Sequence, residues 1–205
     1  ITDYVQRVIT ANDLPATCIS STDRLDLLPD ADFVITSISV GGAAYWGEPY
    51  ASEINIPLKY GVDQIVADTI GPGGVFRFLR TAPVQLQICQ DMERLCPDAL
   101  LLNYTNPMAM LTWLHSEGSS IQYVGLCHSV QHTSEQLARG IGAPYDEVSY
   151  LVAGINHQAW FLRFRHNGED AYPRLRDASK TSDEFADEQV RVELMDQFGY
   201  FVTES

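Results

Sequence analysis

The sequence predicts an α/β fold: a Rossmann-like parallel sheet whose N-terminal part is missing, followed by the start of an α+β domain. Three observations predict it. In the first part of the chain, continuous apolar runs alternate with helical patterns, as in a parallel sheet covered on both faces. The residues able to do chemistry fall just after those runs, where such sheets place ligands. Beyond residue 146 two strand-like runs stand side by side, and the second is closed by an Asn167-Gly168 turn.

In chain order, ITDYVQRVITAN opens as an amphipathic helix, and ATCIS (16–20) reads as a short strand. Residues 32–39 (DFVITSIS) read as a buried strand ending near Gly41-Gly42. The turn Gly71-Pro72-Gly73-Gly74 then opens a long helix over about 75–95. Phe78, Leu79, Leu86, Cys89, Met92 and Leu95 keep helical spacing on it, and Pro83 predicts a kink. ALLLNY (99–104) and IQYVGLC (121–127) are further buried strands. Between them Asn106-Pro107 starts the helix of MAMLTWLH, and a last helix over 130–139 closes at Gly140. VSYLVAGINH and AWFLRFRH read as strands, followed by an acidic helix over 183–198. The change of pattern places a boundary near 145–150, dividing the chain into 1–147 and 148–205.

The 205 residues carry 13 basic and 27 acidic side chains, a net charge of −14. Such a chain repels nucleic acid and anionic membrane surfaces. Nowhere do 18 apolar residues run together, so no membrane span is expected. An apolar content of 45% argues against disorder. The first residue, Ile1, already belongs to a helical pattern, and the last five, FVTES, come directly after an apolar run; the sequence reads as a fragment. Cys89 and Cys96 sit seven residues apart on one helical pattern, about 10 Å of rise and beyond disulfide reach. With four cysteines in all and no dense framework, a reducing cytoplasm is expected.

Cys127 and His157 are the first candidate pair, since thiolate and imidazole both ligate metals. Either alone has a plainer reading, as a small core hydrophobe or a satisfied structural imidazole. Asn106-Pro107 suits a helix N-cap and first helical residue. Asn103-Tyr104-Thr105 matches a glycosylation sequon but closes a buried strand, so it is discounted. The Gly71–Gly74 turn could cradle an anion or be a plain loop, and Asp68 is by default a turn carboxylate. Cys89, Cys96, Met108 and Met110 read as core, while His115, His132 and His166 lie on polar stretches without a role. No GxSxG elbow, Walker loop or CxxC pair occurs. The residues alone define an α/β domain with a candidate Cys/His metal site.

Five motifs occur together and in order: ADTIGPGG (67–74), NYTNPMAM (103–110), GLCHSVQ (125–131), GINH (154–157) and GYFVTES (199–205). In this combination the chain resembles glycoside hydrolase family 4, in its α-galactosidase (melibiase) and α-galacturonidase branch. The resemblance runs from about residue 32 to the end. It implies an NAD- and divalent-metal-dependent hydrolysis, with manganese the usual ion: oxidation at C3 of the sugar, loss of the C2 proton, C1–oxygen elimination, water addition and re-reduction. Carried over, Cys127 and His157 are the metal ligands, and Asn106 contacts substrate and nicotinamide. Asp68 stands near the base. His128 takes the place where other branches carry an Asp proton donor. Val40, Gly41 and Gly42 lie against the dinucleotide, and Asn156 lines the substrate pocket. Two of the family's parts are expected outside this chain, namely the glycine-rich phosphate loop and the tyrosine base. The isolated fragment is therefore expected neither to bind NAD tightly nor to turn over.

The substrate expected is a small α-galactoside; an α-galacturonide would want a cation such as Arg77, Arg80 or Lys59, and an α-glucoside is a further alternative. Family members are usually oligomers, so a homo-oligomer is expected for the full-length protein. A thiolate with an imidazole should favour zinc, iron, cobalt or nickel over manganese by softness. The rival from another class is a lactate/malate-type NAD dehydrogenase, which shares the sheet and has no use for a Cys/His metal pair.

Overall fold

Three parallel strands, β1 (Phe33–Thr36), β2 (Leu100–Asn103) and β3 (Gln122–Gly125), form the first sheet in that order. The computed structural model describes residues 1–42, 44 and 47–204. The strands are in register through Thr36, Asn103 and Gly125, so all three end at one edge. Helices α1 (Thr2–Ala11) and α2 (Tyr50–Lys59) precede the long α3 (Gly71–Leu95). Then α4 (Met108–Gly118) links β2 to β3, and α5 (Ser129–Gly140) comes after β3. Ile88, Cys89 and Met92 of α3 pack with Leu101 and Ile121 in one core, as the helical spacing on α3 predicts.

The second sheet is antiparallel. Strands β4 (Val148–Ile155) and β5 (Gln158–His166) form a hairpin joined by only Asn156 and His157. The short β6 (Glu169–Asp170) and β7 (Phe201–Val202) both pair with β5. Helices α6 (Tyr172–Ala178) and α7 (Gln189–Phe198) complete the chain. Phe161, Phe164, Leu175, Met195 and Phe201 form the second core. Leu137 and Ala138 of α5 join this core rather than the first, so α5 ties the edge of the parallel sheet to the antiparallel one.

Several elements differ from expectation. Residues 16–20 form no strand, because no described strand lies beside them to complete a ladder, and Ile19 is 72% exposed. The run 32–39 is strand only over β1, and it is not buried on both faces. Phe33 and Ile35 are each 65% exposed, since nothing among the described residues covers that side. The glycines of 71–74 are the first turn of α3, not a loop before it. Helix α2 carries Pro57 and lacks a clear apolar stripe, which hid it from pattern reading. The acidic helix starts late: a single 3₁₀ turn at Asp183–Phe185 precedes α7. His115 lies on no polar face; it is 1% exposed, against Cys89.

Candidate active site

A buried asparagine builds the ligand edge of the parallel sheet. Asn103, with no exposed surface, accepts hydrogen bonds at Oδ1 from Thr36 Oγ1 (2.8 Å), Gln85 Nε2 (3.2 Å) and the Thr105 amide (3.0 Å). Its Nδ2 donates to the Thr105 carbonyl, so the sequon is sealed in the core. Thr105 Oγ1 in turn accepts the Ile38 amide, tying the exit of β1 to that of β2. The chain thereby presents Asn106 at the edge. Asn106 is not the cap of α4, whose N-cap is Pro107; its amide donates to Asp68 Oδ2 at 2.8 Å.

From Asp68 a line of polar contacts crosses to the antiparallel hairpin. Thr69 Oγ1 lies 3.0 Å from Asp68 Oδ1 and 3.0 Å from His157 Nδ1. His157 Nε2 faces Cys127 Sγ at 3.3 Å. Ser129 Oγ is 3.1 Å from the same sulfur and donates to Glu204. Sequence reasoning named Asn106, Asp68, Cys127 and His157, and the fold brings these four into one connected group. It passed over Thr69, Ser129 and Glu204, although each lies inside a quoted motif. A polar residue next to a candidate ligand was the signal available for Thr69 and Ser129.

The placement has its origin in local structure. Cys127 sits two residues past β3 at the mouth of α5, and His157 occupies a hairpin turn with φ +61°. Thr69 is held by glycine: a Cβ on Gly74 would lie 2.5 Å from the Thr69 carbonyl carbon, and one on Gly73 2.5 Å from the Ala67 oxygen. The start of α3 is thus filled by its own chain, and the Gly73 amide is capped by Gln64 Oε1 at 2.8 Å.

Two Cys–His pairs in the chain show what this placement does. Burial pushes the Cys89 thiol up to about 11 and the neighbouring His115 down to about 4, so that pair, 3.0 Å apart, stays neutral. Burial also opposes ionisation of Cys127. There the hydrogen bond from His157, then those from Ser129, outweigh it and bring the thiol down to about 6. His157 moves up, chiefly through its hydrogen bond to Cys127 and against burial. The edge pair is thus biased toward its charged forms, where the core pair is biased toward its neutral ones.

The remaining candidates surround this group. His128 lies in an open cleft of about 480 Å³ that also reaches Cys127, His157 and Glu204. Its ring stacks between Tyr104 (5.6 Å) and His132 (5.8 Å), so His132 has a contact where none was expected. Asn156 Oδ1, next to His157 in the chain, is buried with no hydrogen-bond partner among the described residues. Val40, Gly41 and Gly42 form the turn after β1, held by Arg80 Nε donating to the Val40 carbonyl at 2.8 Å. Gly42 has φ +100°, and among the described residues nothing lies within 4 Å of the site a Cβ would take, which makes this turn a backbone shelf. Arg80 itself is paired with Glu53.

The residues present fit the groups expected. A thiolate and an imidazole on one cation lie roughly 3.1–3.6 Å apart when bond lengths are about 2.3 and 2.1 Å and the angle is about 90–110°. Cys127 and His157 meet that separation. Among the described residues no group of three or more His, Cys, Asp or Glu could hold an ion, so this pair leaves coordination positions open. The glycine shelf after β1 offers a dinucleotide room at the edge where doubly wound sheets bind one. No helix among the described residues is long and apolar enough to cross a membrane.

Fold and site together define an α/β protein with a Rossmann-like parallel sheet and a cysteine–histidine pair at its ligand edge. Residues 1–143 match family 4 glycosyl hydrolase, and residues 152–205 match the family 4 glycosyl hydrolase C-terminal domain. The chain belongs to this family. It is 45% identical over 193 residues to an α-galactosidase of Bacillus subtilis, covering 93% of this chain and 44% of the relative. It is 42% identical over 208 residues to an α-galactosidase of Rhizobium meliloti, covering 100% and 42%. The chain thus spans less than half the length of these relatives. Among solved structures, a 6-phospho-α-glucosidase from gut microorganisms, in complex with NAD and Mn²⁺, superposes with a TM-score of 0.84. That match covers 98% of this chain and 49% of the other, at 18% identity, and shows the shared fold.

Proposed function

We propose that the chain carries the metal-binding half and part of the dinucleotide site of an NAD- and divalent-metal-dependent glycoside hydrolase acting on small α-galactosides. The observation that carries this reading is Cys127 Sγ facing His157 Nε2 at 3.3 Å on the ligand edge of a parallel sheet. When bound, NAD supplies reversible oxidation at C3 of the sugar, and a divalent ion such as manganese supplies Lewis-acid polarisation of the resulting carbonyl.

The chain's own residues supply part of the rest. Cys127 and His157 would hold the ion. Asn106, anchored by Asp68, faces substrate and nicotinamide from the end of β2. Asp68 places negative charge near the base. His128, exposed in its ring stack, moves a proton at the glycosidic oxygen. Asn156 Oδ1 accepts a hydroxyl proton from the sugar, which satisfies its buried lone pair. Val40, Gly41 and Gly42 lie along the dinucleotide.

Residues 1–147 form the nucleotide-binding part and 148–205 the beginning of a substrate and oligomerisation domain. Of the cations that could clamp a galacturonide carboxylate, Arg80 is consumed by Glu53 and the Val40 carbonyl, which favours a neutral sugar. The whole protein is read as a cytoplasmic homo-oligomer, and the isolated chain as inactive.

Calorimetric titration of Mn²⁺ into the reduced chain, with Cys127→Ala and His157→Ala alongside, tests the reading. Binding by the wild type and its loss in both variants is expected; three indistinguishable titrations would overturn the metal assignment. On the protein that contains this chain, hydrolysis of α-galactosides with catalytic NAD is expected. Stoichiometric NADH from a 2-hydroxy acid would point to a dehydrogenase instead. NAD-dependent hydrolysis by the 205-residue chain alone would refute its inactivity.

A further inference from the structure

We propose that Thr69 is a positioning residue that fixes the tautomer of His157, holding the proton on Nδ1 and turning the Nε2 lone pair toward Cys127, where the ion would bind. The inference rests on the metal reading above and adds a residue that reading does not use.

Proton bookkeeping at one hydroxyl carries the argument. Thr69 Oγ1 has a single proton and two neighbours at 3.0 Å, Asp68 Oδ1 and His157 Nδ1. An ionised carboxylate only accepts, so the hydroxyl proton points to Asp68. The hydroxyl oxygen then has only lone pairs for the imidazole, and His157 must donate from Nδ1. The opposite arrangement would set a carboxylate oxygen against a hydroxyl lone pair at a site 1% exposed, where water cannot intervene. Asp68 is not free to turn away, because its Oδ2 accepts from Asn106 at 2.8 Å.

The backbone supports the same orientation. The close approach at Gly74 leaves Thr69 no room to shift along α3, and His157 is fixed in a hairpin turn of two residues. The line Asn106–Asp68–Thr69–His157 therefore sets which nitrogen is bare. A ligating histidine whose other N–H has a fixed acceptor is oriented and made more basic toward the ion, an effect typically worth about 10–100-fold in affinity. A threonine relaying a carboxylate would serve here where many sites use the carboxylate directly.

Two measurements test it. Long-range ¹H–¹⁵N correlation spectra of metal-free Cys127→Ala, which removes the sulfur that competes for the Nε2 proton, labelled at histidine and assigned with His157→Ala in the same background, report the tautomer at a pH where the ring is neutral. Nδ1–H is expected for Cys127→Ala, and Nε2–H would overturn the proposal without reference to any metal. Mn²⁺ titrations of Thr69→Val and Thr69→Ser supply the second readout. Valine keeps the shape and removes the acceptor, so a loss of about 10–100-fold is expected, with serine restoring affinity to within about threefold. Unchanged affinity in a folded Thr69→Val would overturn the proposal. Nδ1–H in Cys127→Ala together with a wild-type chain that binds no Mn²⁺ would instead sink the metal reading and leave the positioning of His157 standing. Should Thr69→Val not fold, the Cys127→Ala spectrum still decides.

Discussion

Replacing His157 by alanine should move the ionisation of Cys127 by about three units, and the consequence for reactivity is not the obvious one. In the wild type the thiol is brought down to about 6 against burial, by the hydrogen bond from His157 ahead of those from Ser129. Without the imidazole only the Ser129 contacts oppose burial, so the thiol rises, and a return to its ordinary 9.0 sets the scale. At about pH 7 the thiolate fraction then falls roughly 90-fold, from about 0.9 to about 0.01. Thiolates of higher pKa are better nucleophiles, however. With a Brønsted slope of about 0.4–0.5, three units make each remaining thiolate roughly 15–30 times more reactive toward a disulfide. The wild type should therefore be only about 3–6-fold faster at about pH 7. Above about pH 10 the variant should be faster by roughly 15–30-fold, and the two curves should cross between about pH 7 and 8. The assay is the pH dependence of Cys127 labelling by an aromatic disulfide, read by peptide mass spectrometry in the presence of a chelator. A labelling midpoint in His157→Ala that stays near 6 would refute the argument, because the imidazole would then not be what ionises the sulfur.

The same geometry makes two further predictions. The neutral form of His115 is favoured by burial, with a folded value of about 4 against 6.5, so the unfolded chain binds the proton first as pH falls. Stability should be full above 6.5 and drop by about 3 kcal/mol toward pH 4, and subtracting the denaturation curve of His115→Leu should isolate that drop; parallel curves for the two proteins would rule the account out. Gly74→Ala should destabilise the chain by about 1–3 kcal/mol, because the new Cβ would meet Thr69 backbone at 2.5 Å rather than a yielding side chain. Its Mn²⁺ affinity should fall in parallel, whereas destabilisation with unchanged affinity would separate the glycine contact from the metal site.

How much of this was legible in the sequence depends on the range of the interaction. The strand Leu100–Asn103 declares itself in its own residues, because a covered central strand demands continuous apolar side chains. The ligand edge was readable for the same reason: it begins where each strand stops. β1 was misread as fully buried and residues 16–20 as a strand because pairing and coverage are properties of neighbours, not of the run itself. Asn106 shows the limit at single-residue scale. Local propensity assigns it to capping α4, yet its amide is claimed by Asp68, 38 positions away. Glu204 was silent because a carboxylate in a motif has no pattern that names its partner.

The two Cys–His pairs sharpen this point. By residue type they are interchangeable, and their separations, 3.0 and 3.3 Å, are nearly the same. Cys89 and His115 meet inside the helix–sheet core, the sulfur 1% and the imidazole 1% exposed, so burial drives both groups to their neutral forms. An ion there would need two desolvated ligands with no open side for substrate or water. Cys127 and His157 meet where one sheet ends and a hairpin from the other sheet turns back. Ser129, Thr69, Asp68 and Glu204 supply acceptors and charge around them, and clefts reach the pair from the solvent. A core contact and a site capable of chemistry are thus separated by the polar surround, and here that surround is assembled from segments starting at residues 67, 125, 154 and 199. These are the segments whose joint occurrence marked the family. Their order along the chain is meaningful because the fold converges them on one thiolate and one imidazole.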